Sequence, residues 1–73
     1  MAARTRKRSL TIAGHRTSVS LEDAFWDALK EVARKKGDSL ATLVQEIDET
    51  RGEVALSSAI RVYLLNHFRN RQG

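Results

Sequence analysis

Arg16-Thr17-Ser18-Val19-Ser20-Leu21 alternates polar and apolar residues without a break. Side chains on an extended strand point to opposite faces with a period of two. One face of this stretch therefore carries Arg16, Ser18 and Ser20, and the other carries Thr17, Val19 and Leu21. Just upstream, Leu10 and Ile12 alternate with Ser9, Thr11 and Ala13, so the apolar parity changes across Gly14–His15. Such a change needs a bulge or a turn, and Gly14 tolerates either. Two readings fit: a hairpin of two short strands, or one long strand with a kink.

Downstream the period becomes helical. Phe25, Leu29, Val32 and Ala33 make one face from Glu22 onward, widened by Trp26 and Ala28. Glu22 and Asp23 lie in the first turn and Arg34, Lys35 and Lys36 in the last, as the helix dipole favours. Gly37 suits a left-handed cap. Asp38 or Ser39 then caps a second helix with Leu40, Leu43, Val44 and Ile47 at a 3.6 period, stopping near Arg51–Gly52. Ser57 or Ser58 caps a third, with Ile60, Tyr63, Leu64, His67 and Phe68 on one side and Val62 and Leu65 outside that stripe. A third helix apolar on two faces is expected to meet a second surface.

Upstream, residues 1–8 are polar, basic and aperiodic, and read as a disordered arm before a single domain over 9–73. Residues 1–21 carry +5 with no acid, residues 22–53 carry −4, and residues 54–73 carry +3. So uneven a distribution points to an anionic partner for the amino-terminal third. The chain of 73 residues has no cysteine, hence neither a disulfide staple nor a thiolate metal site. A domain this short buries only about 60% of its unfolded surface, so a partner chain is the expected staple. No apolar run approaches the ~18 residues of a membrane span, and the start lacks the apolar core of a secretory signal. The expectation is a cytoplasmic protein with no membrane partner.

Catalysis finds no support in the residues. His15 and His67 are the two histidines, and they read as ordinary core or surface residues. Ser39, Ser57 and Ser58 are explained as caps, and no serine sits in a motif with a base. Glu46, Asp48, Glu49 and Glu53 read as a solvated face with ion-pair partners in Arg51 or Arg61. No glycine loop of the phosphate-binding kind is present. No catalytic residue, metal or cofactor is expected.

A lone strand 16–21 would leave both edges open. Pairing it antiparallel with the same strand of a second chain would close a ladder across a two-fold axis and bury Thr17, Val19 and Leu21 on the helices. The outer face would then be a two-stranded ribbon of polar side chains, which fits the B-DNA major groove. An ordinary solvated strand face is the plainer alternative.

Arg16-Thr17-Ser18-Val19-Ser20-Leu21, then Phe25-Trp26-Asp27-Ala28-Leu29 and Val32-Ala33, then Gly37-Asp38-Ser39-Leu40, resemble the ribbon-helix-helix family of bacterial DNA-binding proteins. The longer stretch from Arg8 through Val62 is similar to a subgroup with an extra amino-terminal strand and a third helix. The resemblance implies a mainly α fold: an intermolecular antiparallel β-ribbon, two helices and an additional carboxy-terminal helix. It implies a homodimer with Thr17, Val19, Leu21, Phe25, Leu29, Leu43, Val44 and Ile47 in its core. By the same resemblance Arg16, Ser18 and Ser20 contact bases, and backbone amides near Ser39 and Leu40 hold a phosphate. Arg4, Arg6, Lys7 and Arg8 would track further phosphates. Leu56-Ser57-Ser58-Ala59-Ile60-Arg61 also reads like the opening of the family's second helix, which leaves a rival register open. The implied function is a double-stranded-DNA-binding transcriptional regulator, a repressor. The alternative is a protein-interaction module, antitoxin-like or an adaptor, that docks another protein through Tyr63, Leu65 and Phe68 of the carboxy-terminal helix.

Overall fold

A hairpin opens the structure, a computed structural model that describes residues 4–70. Strands β1 (Thr5–Ile12) and β2 (His15–Glu22) pair antiparallel, from Ile12 opposite His15 at the turn to Thr5 opposite Glu22. The two turn residues, Ala13 (φ 51°) and Gly14 (φ 83°), both have positive φ, as a tight two-residue hairpin turn of type I′ requires. This turn explains the parity change. Facing residues are separated by an odd number of positions, so even residues of β1 share a face with odd residues of β2. Arg8, Leu10 and Ile12 therefore lie with Thr17, Val19 and Leu21 on the inner face. The expected arm is shorter than its composition suggested. Residues 5–8 belong to β1, because pairing with β2 supplies what their own polar sequence lacks, and Met1–Ala3 lie outside the described residues.

Helix α1 (Asp23–Lys36) begins directly after β2. It ends at Gly37 (φ 76°), where the Gly37 and Asp38 N–H groups bond back to the Arg34 and Ala33 carbonyls. Helix α2 (Leu40–Thr50) is capped by Ser39, whose Oγ accepts from the Thr42 N–H at 3.0 Å. Helix α3 (Leu56–Asn70) starts earlier than the expected serine caps. The Ala55 carbonyl accepts from the Ala59 N–H at 2.9 Å, so Ala55 opens the helix and Ser57 lies inside its first turn.

The helices cover the inner face of the hairpin, α2 lying against β1 and α3 along β2, with α1 packed on both helices and on β2. The core between them contains Ile12, Val19, Leu21, Leu29, Val32, Ala33, Leu43, Val44, Ile47, Ile60 and Leu64. Six of the eight residues expected in a dimer core are thus buried within one chain, while Thr17 and Phe25 are half-buried. Lys36 at the end of α1 donates to Glu46 Oε1 on α2 (3.2 Å), tying the sharp α1–α2 corner.

Candidate nucleic-acid interface

The outer face of the hairpin is built by four facing pairs: Thr5 with Glu22, Lys7 with Ser20, Ser9 with Ser18, and Thr11 with Arg16. All but the half-buried Glu22 are exposed. The face carries two cations, three serine hydroxyls, two threonines and, at its open end, the Glu22 carboxylate, which Arg61 binds. Arg16, Ser18 and Ser20 lie together along β2 as the alternation required. Lys7, Ser9 and Thr11 join them from β1, and these three were missed as a set. The two-residue turn would have given them, since it fixes which parities face each other.

The acids nearest this end of the ribbon are held by arginines. Asp23 Oδ1 accepts from Arg8 Nη2 at 2.9 Å and lies 3.5 Å from Arg6 Nε. Arg8 points to the inner face, with its guanidinium 4.8 Å from the Trp26 ring centroid. Its Nε finds no hydrogen-bond partner among the described residues, so the aromatic face and Asp23 are what compensate this charge. Arg8 is therefore placed apart from Lys7 and Arg16, whereas Arg4 and Arg6 are exposed at the open end of the hairpin.

The outer edge of β2 is occupied where α3 reaches it. The Ser20 N–H donates to Ser57 Oγ at 3.0 Å, and Arg61 Nη2 donates to the Ser20 carbonyl at 3.1 Å. Arg61 also donates to Glu22 Oε1 from Nε (3.1 Å) and Nη2 (2.9 Å), and it lies 5.7 Å from the Phe25 ring centroid. The bond from its own backbone N–H, and after it that from Arg61, holds the Glu22 carboxyl below the usual carboxylate range. These links span 37 to 41 positions, so no local pattern announces them. They also separate the two candidate second helices. The one that lies along β2 is α3, and Ser39 at the head of α2 spends its hydroxyl on Thr42.

Among the described residues no three histidines, cysteines or acids cluster to hold a metal ion, and no helix is long and apolar enough to cross a membrane. His67 stacks on Tyr63 (centroids 6.3 Å apart) and meets Phe68 edge-on, an aromatic packing role.

A polar, cationic two-stranded ribbon backed by helices defines the class of fold. The chain belongs to the ribbon-helix-helix family, whose domain model matches residues 5–68. Members of this family are typically DNA-binding transcription regulators, generally dimeric, and their fold is a non-enzymatic one. Neither the comparison with curated proteins nor that with solved structures returned a match.

Proposed function

We propose that this protein is a homodimeric DNA-binding regulator, acting as a repressor in the bacterial cytoplasm, that lays its ribbon in the major groove. The observation that carries the reading is the cationic, hydroxyl-rich outer face of the hairpin, with Arg16, Ser18 and Ser20 side by side on β2 and the Glu22 carboxylate at its end neutralised by Arg61. Arginine can bridge guanine O6 and N7, and serine hydroxyls can bond to several base edges. Arg4, Arg6 and Lys7 contribute phosphate contacts, and the backbone amides at Ser39 and Leu40 offer a further one at the dipole-positive end of α2. Arg8 is left out of this role because Trp26 and Asp23 hold its guanidinium.

The test is a salt-dependent titration of duplex DNA. Arg16→Ala should weaken binding to the preferred sequence by about 1–3 kcal/mol, while Arg6→Ala should weaken all sequences alike and lower the salt slope. Absence of binding to random duplex at low salt would remove the reading.

The exposed strip on α3 favours a second reading beside this one. Val62 (54% exposed) and Leu65 (56%) border an apolar groove completed by Phe25 and Ala28 of α1 and by Phe68. The occupant is a second copy of this chain, because the family generally acts as dimers. If the purified protein instead has the mass of one chain and captures a different protein stoichiometrically without DNA, the interaction-module reading replaces the regulator.

A further inference from the structure

We infer that the cleft between the hairpin turn and the α2–α3 connection binds a small organic acid, and that its occupation lowers DNA affinity through Arg16. The second clause rests on the DNA-binding reading, and the first stands without it.

Three observations carry the inference. First, the cleft gathers segments that are distant in sequence. Ile12, His15 and Arg16 line it from the hairpin, Asp48 and Arg51 from the end of α2, and Leu56 from the start of α3. Its volume of about 250 Å³ lies just below the ~300 Å³ at which common small-molecule sites begin, so its ligand is compact. Second, the donors around it are only partly used. Arg51 donates from Nε to Asp48 Oδ1 and from Nη1 to the Val54 carbonyl (2.7 Å), and its Nη2 has no partner among the described residues. The side chains of His15 and Arg16 make no hydrogen bond or ion pair among those residues. Two arginines thus stand against one carboxylate, and Arg51 already binds that carboxylate. The surplus charge favours an anion, and a guanidinium matches the two oxygens of a carboxylate. Third, Ile12 is buried and Leu56 half-buried, so the cleft offers an apolar wall as well as charge. An inorganic ion would leave that wall wet, whereas a compact apolar body carrying a carboxylate uses both.

Arg16 belongs to two surfaces. It lines the cleft, and it stands on the exposed outer face opposite Thr11. A guanidinium engaged by a carboxylate in the cleft is withdrawn from DNA, and the ligand's negative charge repels nearby phosphates. The two ligands therefore oppose each other, and by linkage each weakens the other.

The experiment titrates the full, isotope-labelled chain with sodium benzoate at constant ionic strength and follows its amide NMR spectrum. Benzoate is a carboxylate on a flat apolar ring, and its roughly nine non-hydrogen atoms lead to saturation in the millimolar range. Shifts should concentrate at residues 12–17 and 48–56. Benzamide, the neutral analogue, and inorganic phosphate, an anion with no apolar body, should each bind about ten-fold more weakly. Arg51→Gln should weaken benzoate by about the same factor. Because Arg51 also ties Asp48 to Val54, His15→Gln at an exposed position serves as the second variant and should weaken benzoate with that corner intact. Shifts that fail to saturate or spread over every exposed cation, or wild-type affinity in both variants, would overturn the site and leave an adventitious ion only. On the duplex that the wild-type chain prefers, saturating benzoate should lower affinity about five-fold or more, and benzamide should not. Unchanged DNA affinity with benzoate bound would overturn the coupling. A wild-type chain that binds no duplex at low salt would remove the DNA-binding reading and the coupling together, while the NMR titration still decides the site.

Discussion

Arg61 joins three parts of the molecule: it caps the Ser20 carbonyl, bonds Glu22 and lies over the Phe25 ring. Its partner Glu22 is the N-cap residue of α1, so this ion pair fixes the corner between ribbon and helix. The folded carboxyl titrates below its unfolded value. Its contribution to stability is therefore fully present above the ordinary carboxylate pKa, and it is lost as pH falls through the lower folded value. Glu22→Gln should flatten that part of the acid-unfolding profile and leave the neutral-pH fold in place, as followed by circular dichroism across pH 2–6. Ala13 is the other residue whose state is unusual. An alanine in the left-handed region costs about 1–2 kcal/mol, and asparagine before glycine is preferred in this turn type. Ala13→Asn should stabilise the hairpin by about 0.5–1 kcal/mol, read as a higher urea midpoint with an unchanged slope. An unchanged midpoint would mean that the turn is not strained in solution.

At the scale of elements, the helices were the most legible part of the chain. Gly37 with its positive φ, Ser39 with its cap bond, and the 3.6 spacing of Leu43, Val44 and Ile47 are local signals, and local physics kept them. The strands were legible as a pattern but not as a topology, because alternation fixes faces and says nothing about which strand is the neighbour. Residues 5–8 were read as an arm since their stability comes from pairing, not composition. The start of α3 was misplaced for a related reason: Ser57 reads as a cap, yet its hydroxyl is used by Ser20 across 37 positions. The site was half legible. That Arg16, Ser18 and Ser20 share a face followed from alternation, whereas the β1 residues beside them needed the register, and the inward turn of Arg8 needed Trp26 in three dimensions. Helix α3 is tied to the core by two residues. It brings the fully buried Ile60 and Leu64 to the core, each worth about 1.5–3 kcal/mol, in a fold whose single core supplies about 3–5 kcal/mol. A chain truncated after Gly52 should therefore unfold, losing its helical circular dichroism signal. Retained folding would assign α3 to docking alone.

For the whole molecule, two surfaces of different character are left uncovered. The ribbon face is cationic and polar, and the groove between α1 and α3 is apolar, with Val62 and Leu65 more than half exposed. One chain pairs β1 with β2 and packs a core of its own, which leaves the attraction for a second copy to be explained. Its physical reason for binding is this apolar strip. Association here would leave both hairpins free, so a dimer would offer two ribbons, and the positive charge of residues 1–21 would act twice on one duplex. Leu65→Glu places a carboxylate where the second copy must exclude water, and a residue 56% exposed can accept it without disturbing the core. The variant should keep its circular dichroism spectrum but sediment as a single chain at concentrations where the wild type sediments as two. Its DNA affinity should fall toward that of one hairpin, with a salt slope close to half of the dimer's, because half the phosphate contacts are lost. A two-chain mass in Leu65→Glu, and again in Val62→Glu, would show that the copies meet elsewhere. The open β2 edge at Arg16 and Ser18 would then be the next surface to test.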